Sequence, residues 1–264
     1  MGDLKEEVTE TIQRMVVRLL ATTRSGVGLA LIGGFRYRFL DQGPRVSRDI
    51  DYHWSGDLAA KQSELVAAFR QRLLPEVRRQ LGYTGSAAPH AGPEGDSPLV
   101  SAVLLAFWRD GEASSRIELP VEITRICCAD GLTVKTMDGV TYPTASDQDM
   151  IESKVIAVFA RSFLQHRDLL DIFLFANHLA VSSPERIDGK LTELGIDRGR
   201  TARRLSDLAA GRSYHGRTIG ELIDTQVEPD AAENLVLGGG GEMVFDRVIE
   251  ILSRQVADFI GGDQ

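Results

Sequence analysis

The sequence predicts an α+β fold, in which a mixed β-sheet flanked by helices is followed by a helical domain. Apolar residues alternate between helical and strand-like spacing up to about residue 143, whereas helical spacing dominates from Ser146 onwards. The 264 residues are enough for one large domain or two ordinary ones. We therefore expect a mixed domain over residues 1–143 and a helical domain over 144–264.

The first domain is predicted to alternate helices with strands. An amphipathic helix is expected at residues 4–22, because apolar side chains recur there at helical spacing. Asp110 and Gly111 lie between two apolar runs, which predicts a hairpin. Residues 83–98 are rich in small residues and proline, so a flexible connection is expected. The other predicted elements are a strand at 27–32, a helix at 35–40, a strand at 49–54, a helix at 58–81, and strands at 99–109, 115–128 and 132–140.

The second domain is predicted to be almost wholly helical. Ser146, with Asp149 three residues later, forms an acidic variant of the capping box and predicts a helix start. The glycines at 238–241 predict a loop. The predicted helices lie at 147–162, 167–181, 187–194, 200–210, 219–224 and 242–260.

The net charge, the apolar runs and the cysteines argue against several classes of protein. The formal net charge of −8 argues against a general nucleic-acid coat or a protein that binds anionic membranes. No apolar run is long enough to span a bilayer, and residues 1–10 are acidic, unlike a secretory signal. The adjacent Cys127 and Cys128 have no metal-ligand spacing, which favours reduced thiols. We therefore expect a cytoplasmic protein with no membrane partner.

Asp49 and Asp51 are the main candidates for chemistry. Side chains on a strand alternate between faces, so the two carboxylates point the same way, roughly 6.5–7 Å apart along the chain. Such hard oxygen ligands suit Mg²⁺ or Mn²⁺ bound with the phosphates of a nucleoside triphosphate. The alternative is a surface hairpin with two solvated aspartates.

Residues before this pair are suited to binding phosphate. Gly33 and Gly34 would let backbone N–H groups at a helix start approach an anion closely. Arg45 would neutralise triphosphate oxygens, and Ser47 would add a hydrogen bond. A solvated loop arginine with a turn serine is the alternative.

A third carboxylate is expected on the strand at 115–128. Glu118 and Glu122 lie on its polar face, and we prefer Glu122 as the ligand because it lies deeper within the apolar part of the strand. Pro120 removes a ladder hydrogen bond and predicts an edge strand or a bulge. The alternative is that both glutamates are solvated.

Lys154, Asp168 and Asp171 are candidates in the helical domain. Asp171 is surrounded by apolar residues, so it needs a cationic partner, which Lys154 or Arg167 would supply. One interpretation is an ion pair between helices. The other is an active-site network in which Lys154 binds phosphate and an aspartate orients it or acts as a base.

Two further groups of residues are candidates for contacting the substrate or RNA. His53 shares the face of Asp49 and Asp51 and is a possible substrate contact. A stretch rich in arginine favours a solvated helix face, with an RNA-binding patch as the alternative. It comprises Arg198, Arg200, Arg203, Arg204, Arg212 and Arg217.

These motifs together resemble those of the AbiEii/AbiGii-type nucleotidyltransferase toxins, in the polymerase-β-like nucleotidyltransferase superfamily. The matching residues, over about residues 29–180, are Ile32-Gly33-Gly34, Arg45-x-Ser47-x-Asp49-x-Asp51, Glu152-x-Lys154 and Arg167-Asp168-x-x-Asp171. The chain departs from the family at Phe35-Arg36-Tyr37, where small residues are usual. Bulkier, charged residues at a phosphate turn would alter the choice of nucleotide or acceptor.

The resemblance implies a nucleotidyltransferase core fused to a helical C-terminal domain. It implies Mg²⁺ (or Mn²⁺) and an NTP held by Asp49, Asp51, Gly34, Arg45 and Ser47, with Lys154 and Asp168 or Asp171 in catalysis. Family members are typically toxins of bacterial toxin–antitoxin or phage-defence pairs, and some transfer nucleotides to tRNA. We therefore expect transfer from an NTP to an RNA such as tRNA, with a cognate antitoxin as a further partner.

Two alternatives remain beside this expectation. One is a nucleotidyltransferase that acts on the hydroxyl group of a small molecule or a protein. The other is a catalytically weak module that binds a nucleotide or a partner protein.

Overall fold

The computed structural model describes residues 2–90, 100–126 and 128–261. These form two compact units. The sheet unit comprises Met1–Gly43, Ser47–Ile126 and Leu132–Ala145, and the helical unit comprises Pro44–Val46, Cys127–Gly131 and Ser146–Gln264. Two short segments of the helical unit are thus flanked in sequence by the sheet unit. A single boundary at 143/144 stays a prediction.

The described residues of the sheet unit form a mixed sheet of seven strands. The strands are β1 (Ala30–Ile32), β2 (Ile50–His53), β3 (Thr84–His90), β4 (Val100–Arg109), β5 (Glu112–Thr124), β6 (Leu132–Met137) and β7 (Val140–Ala145). Their order is β3-β4-β5-β2-β1-β7-β6. The β1–β7 and β2–β5 pairs are parallel and the other pairs are antiparallel. The predicted mixed sheet is confirmed.

Helices cover the apolar face of this sheet. Ile12 and Val16 of the first helix and Ile50, Val121 and Ile123 of the strands are all fully buried in one core cluster. The helices of the sheet unit are α1 (Gly2–Thr22), α2 (Gly33–Leu40), α3 (Leu58–Ala68) and α4 (Leu74–Leu81). The helix expected at 58–81 is therefore α3 and α4, which are joined by a π-helical turn at Phe69–Leu73.

The flexible connection expected at 83–98 is wrong in its first half. Residues Thr84–His90 form β3, which pairs with β4 along its whole length. Small residues have low intrinsic strand propensity, but pairing with an apolar neighbour overrides it. Pro89 is tolerated because β3 is an edge strand. Residues 91–98 lie outside the described part of the chain.

The strand expected at 132–140 is in fact a hairpin. Strands β6 and β7 are joined at Asp138 and Gly139, which both have positive φ, 50° and 72°. Asp-Gly is a strong signal for such a turn, and it was present in the sequence. The second strand, β7, lies inside the sheet beside β1.

The expectation that Pro120 marks an edge is correct for its own position but not for the whole strand, and the register of β5 with β4 is regular at Pro120. Strand β5 lies between β4 and β2, and its register irregularity is between Phe107 and Arg109 of the partner strand. Pairing of β5 with β2 begins only at Val121, so Pro120 lies just before that ladder. A proline there removes no β2 hydrogen bond. The strand ends at Thr124 rather than 128.

The described residues of the helical unit contain eight α-helices, which confirms the predicted helical C-terminal part. They are α5 (Asp147–Ala160), α6 (His166–Phe175), α7 (Ser183–Glu193), α8 (Arg198–Ala210), α9 (Arg212–Gln226), α10 (Pro229–Leu237), α11 (Gly240–Gln255) and α12 (Ala257–Gly261). Helix α10 was missed, and α9 is much longer than the 219–224 expected. Gly239 has a φ of 118° and lies immediately before α11.

None of the helices in the described ranges has the length and apolar character needed to span a lipid bilayer. Cys128 is half-buried, and Cys127 lies outside the described residues.

Candidate functional site

Asp51 and Glu122 lie side by side on the polar face of the sheet. They are register partners on the adjacent parallel strands β2 and β5, whose backbones run about 4.8 Å apart. Ile50 and Ile123 point to the opposite face and are fully buried. Asp51 and Glu122 are only half-buried. The alternation of β2 and β5 therefore delivers two neighbouring carboxylates to a face that solvent reaches.

Asp49 is held just before β2 by Ser47. The Ser47 hydroxyl donates a hydrogen bond of 2.8 Å to Asp49 Oδ1. The carbonyl of Ser47 accepts one of 2.9 Å from Gln13 Nε2, and both residues are buried. The proton that would have bound a phosphate is therefore already donated to Asp49. In this geometry Ser47 positions a carboxylate.

Gly33 provides the close approach between helix α2 and Asp51. It follows β1 directly, is the first residue of α2 and has a φ of 75°. A Cβ atom here would lie 1.8 Å from Asp51 Oδ2. Only glycine combines this backbone conformation with this contact. The positive end of the α2 dipole thus lies against a site carboxylate, in the type of location where helix N-termini bind anions.

The bulky residues after Gly34 do not line a phosphate turn. Phe35, Arg36 and Tyr37 are buried inside the sheet unit. Arg36 Nε donates a hydrogen bond of 3.1 Å to Thr144 Oγ1, and its Nη1 forms an ion pair with Asp41. The expected effect of these residues on the choice of nucleotide is therefore not supported, because their side chains stabilise the core.

Glu118 differs clearly from Glu122. Its side chain is 52% exposed and forms an ion pair of 2.8 Å with Arg116 on the same strand. Glu122 instead has Asp51 beside it across the ladder. This geometry supports the preference for Glu122.

The donor chemistry of this face suits a hard divalent cation. Mg²⁺ is typically bound by one or two carboxylates together with substrate phosphates and water, and Asp51 and Glu122 supply two neighbouring carboxylates. Within the described ranges, no group of three or more His, Cys, Asp or Glu side chains is close enough together to hold a metal ion. Assignment of a metal to Asp49, Asp51 and Glu122 therefore remains a prediction.

His53 lies at the end of the same strand but is not oriented as an open ligand. It is 9% exposed, and its Nδ1 accepts a hydrogen bond of 3.0 Å from the backbone N–H of Ile126. Burial, together with the charge of Arg125, lowers the pKa of His53. From these contacts we infer that the His53 ring is neutral and that it stabilises the backbone at the end of β5.

The helical unit holds a buried ionic network around Lys154. Its Nζ lies 2.7 Å from Asp168 Oδ1 and 3.1 Å from Asp171 Oδ2. Arg45 binds Asp171 through two hydrogen bonds of 2.6 and 2.9 Å. Arg161 forms an ion pair with Asp168. The network thus brings together four predicted site residues: Arg45, Lys154, Asp168 and Asp171. Arg45 belongs to the segment 44–46 of this unit.

Neighbouring charges set the protonation states of Asp171 and Lys154. Burial alone would raise the pKa of Asp171, but the charges of Lys154 and Arg45 outweigh it and lower the pKa. Burial would likewise lower the pKa of Lys154, but Asp168 and Asp171 raise it. Asp171 is therefore a weak base, and Lys154 stays protonated. For Asp171, the predicted role of orienting Lys154 is favoured over that of accepting a proton.

Arg45 is poorly placed to contact a phosphate directly. Its side chain is 5% exposed and bonded to a carboxylate that is 1% exposed. The backbone of segment 44–46 is fixed as well, because Val46 N–H donates to the carbonyl of Gln226 and Glu228 N–H donates to that of Pro44. Arg45 was predicted to contact the nucleotide, whereas its contacts indicate that it positions Asp171 and Lys154.

A second buried network was missed by the sequence analysis. Asp149 and Glu152 are fully buried on α5, and Lys190 Nζ lies 2.7 Å from a carboxylate oxygen of each. Arg186 binds both acids at 2.8 and 3.0 Å. Two acids three residues apart among the apolar residues of α5 were the available signal. Because both acids and Lys190 are buried, this network stabilises the packing of α5 against α7.

Comparison with known proteins adds information about the fold. No family model matches the sequence, and no curated protein matches it. Among solved structures, a candidate nucleotidyltransferase of Helicobacter pylori is 17% identical, with a TM-score of 0.54 over 97% of this chain and 96% of that one. The protein JHP933 of Helicobacter pylori is 14% identical, with a TM-score of 0.54 over 96% and 94% of the two chains.

A third similar structure is MenT4, a nucleotidyltransferase toxin of Mycobacterium tuberculosis. It is 17% identical, with a TM-score of 0.54, over 96% of this chain and 86% of that one. Identities this low are evidence for a common fold alone. The narrower resemblance to AbiEii/AbiGii-type toxins stays a prediction. The chain therefore has the fold of nucleotidyltransferase structures, with a mixed sheet followed by a helical C-terminal part.

Proposed function

We propose that this protein is a metal-dependent nucleotidyltransferase that transfers nucleotides from an NTP to an RNA acceptor such as tRNA. The observation that carries the proposal is the lateral pair Asp51 and Glu122 on the half-buried face of β2 and β5. Asp49, oriented by Ser47, precedes this pair, and Gly33 brings the start of α2 against it. Neighbouring carboxylates beside an anion-binding helix start suit a triphosphate bound with a divalent cation.

Asp49, Asp51 and Glu122 would hold the Mg²⁺ or Mn²⁺. When bound, such an ion supplies positive charge that lowers the pKa of the acceptor hydroxyl and offsets charge on the transferring phosphoryl group. The chain itself contributes the fixed carboxylates and the backbone N–H groups at Gly33 and Gly34. These N–H groups would donate hydrogen bonds to phosphate oxygens.

In the proposed reaction, the oxygen of the acceptor hydroxyl forms a bond to the α-phosphorus. The bond from that phosphorus to the bridging oxygen breaks, and pyrophosphate leaves with the electron pair. The hydroxyl proton passes to solvent or to a carboxylate on the polar face of β2 and β5. Lys154, which its aspartate partners keep protonated, would bind phosphate, and Asp168 and Asp171 would orient it.

The biological setting is part of the same proposal. The MenT4 neighbour is described as a nucleotidyltransferase toxin, which supports a toxin of a bacterial toxin–antitoxin or phage-defence system. A cognate antitoxin would then be a protein partner. A cytoplasmic location would give the enzyme access to both NTPs and RNA.

The test is transfer of α-labelled NTP to total tRNA in the presence of Mg²⁺. Asp51→Asn and Glu122→Gln are expected to lower the rate by about 100-fold or more, because each removes charge that the transition state requires. Glu118→Gln is the matched control on the same strand face, and it should retain the wild-type rate. Thermal unfolding of each variant shows whether the fold is intact.

Several outcomes would overturn the proposal. Equal loss in Glu118→Gln and Glu122→Gln would remove the assignment of the metal site. Label in RNase-resistant material would make the acceptor a protein or a small molecule. No transfer and no binding of Mg²⁺–NTP by calorimetry would leave a module without this enzymatic activity.

A further inference from the structure

A cluster of exposed arginine and aromatic side chains lies where four helices of the helical unit meet. Arg200 of α8 donates a hydrogen bond of 3.1 Å to the carbonyl of Ala160, at the C-terminal end of α5. Arg204 donates one of 3.1 Å to the carbonyl of Val158. Helix α8 is thus fixed across the end of α5, where cationic side chains also complement the helix dipole.

Aromatic side chains adjoin this junction. His166, the first residue of α6, has its Nε2 2.9 Å from Nδ1 of His215 on α9. The Tyr214 ring packs edge-on against both histidines, with centroids 5.8 and 5.2 Å away, yet the residue is 64% exposed. Phe163, in the connection between α5 and α6, is 59% exposed. Tyr214 therefore presents a ring that is oriented before any ligand arrives.

The charge of this region is opposite to that of the whole chain. Helix α8 contains four arginines and one aspartate, Asp207, a formal net charge of +3, whereas the chain carries −8. Arg203 is exposed one turn from Arg200, and Arg217 is exposed one turn from Tyr214. Arg212 is different, because Glu242 and Asp246 neutralise it.

We propose that this region binds single-stranded RNA, the acceptor of the proposed transfer. The arginine–aromatic surface, as we name it, consists of Phe163, Arg200, Arg203, Tyr214 and Arg217. Arginines bind phosphates, and exposed aromatic rings stack on unpaired bases, which is how proteins hold single strands without sequence preference. This inference deepens the proposed function and rests on it for the identity of the acceptor.

Single-stranded RNA is favoured over an acidic protein partner by the exposed ring. A basic surface alone would attract either ligand, but a fixed and mostly exposed tyrosine beside arginines offers the stacking that only unpaired bases use fully. A duplex hides the base faces, so it would engage only the arginines.

The experiment measures binding of a fluorescent single-stranded RNA of about 12 nucleotides to the full chain, by anisotropy, over a range of salt concentrations. Tyr214→Ala should weaken binding by about 5- to 150-fold at every salt concentration. Tyr214→Phe, which keeps the ring, should bind as the wild type does. Arg203→Ala should weaken binding. It should also make the negative slope of log affinity against log salt less steep, by about 0.7.

Two variants serve as matched controls in the same unit. Leu237→Ala removes an exposed apolar side chain of α10, and Arg247→Ala removes an exposed arginine that is paired with Glu250. Both should leave RNA affinity unchanged. Wild-type affinity in both Tyr214→Ala and Arg203→Ala would overturn the proposal, as would equal losses in the controls. Duplex RNA that binds as tightly as the single strand would overturn the assignment to unpaired bases.

The same variants separate this inference from the proposed function. If RNA is labelled but Tyr214→Ala keeps the wild-type KM for RNA, the surface is wrong and the enzyme assignment stands. If the wild type binds RNA through Tyr214 but transfers no nucleotide, the surface stands and the enzyme assignment fails. Asp51→Asn should bind RNA normally while losing transfer.

Discussion

At the scale of single residues, Gly33 and Asp51 form the contact on which the candidate site depends. The glycine has a φ of 75°, and its α-carbon lies where any side chain would meet the Asp51 carboxylate. The sequence indicated a glycine for approach to phosphate, but the structure assigns it first to a carboxylate. Ser47 similarly proves to orient Asp49. Residue type predicted the location of the chemistry, whereas the partner of each side chain depended on chain segments distant in sequence.

Gly33→Ala is expected to damage activity more than stability. Gly111 also has a positive φ, 83°, but an added methyl there would meet nothing within 4 Å. Gly111→Ala should therefore lower the free energy of unfolding by about 1–2 kcal/mol, the cost of the backbone conformation alone. Gly33→Ala adds displacement of Asp51, which should reduce the rate of nucleotide transfer by about 100-fold. Urea unfolding and the labelled-NTP assay measure the two effects, and equal transfer rates in the two variants would refute this account.

At the scale of elements, the start of α5 shows how a local signal and a tertiary contact share one motif. Ser146 Oγ accepts a hydrogen bond of 2.9 Å from the backbone N–H of Asp149, as the capping pattern predicts. The Asp149 carboxylate does something the pattern did not indicate. It accepts from the backbone N–H groups of Ala129 and Asp130, at 3.0 Å each, and binds Lys190. The cap can be predicted from neighbouring residues in the sequence. The contacts of the Asp149 carboxylate form only when the helical unit is folded.

Substitution of Ser146 and substitution of Asp149 should therefore lower the free energy of unfolding by different amounts. Ser146→Ala is expected to lower the free energy of unfolding by about 1 kcal/mol, the usual cost of a lost cap. Asp149→Ala should cost about 3 kcal/mol or more, because it leaves buried Lys190 with one acidic partner fewer. Urea denaturation compares the two variants with the wild type. A larger effect for Ser146→Ala would contradict the assignment.

At the scale of the whole molecule, burial sets the response to pH. The pKa values of His53, His166 and His215 are lowered from the usual 6.5, in each case mainly by burial, with nearby Arg125, His215 and Arg204 respectively adding to the effect. The folded state thus binds protons less readily than the unfolded state. The stabilising contribution of these groups is fully present above about pH 6.5 and is lost as pH falls through the lowered folded-state values.

We expect the urea midpoint of the wild type to fall between about pH 7.5 and pH 5.5. His166→Gln should make this fall shallower, because it removes one of the groups that the unfolded state protonates first. The measurement is a series of urea titrations at constant ionic strength. A midpoint that rises toward acid, or a variant with a steeper fall than the wild type, would contradict the sign of this linkage.

The fold class, the approximate positions of most helices and strands, and the polar face of β2 and β5 could all be predicted from the order of the amino acids. These follow from periodicity and alternation, which are local properties of the chain. The folded chain was needed to show that β3 joins the sheet, that β5 pairs with β2 from Val121 onwards, and that Arg45 binds Asp171. Those outcomes depend on pairing and charge burial between segments far apart in sequence, whose free energies no local pattern contains.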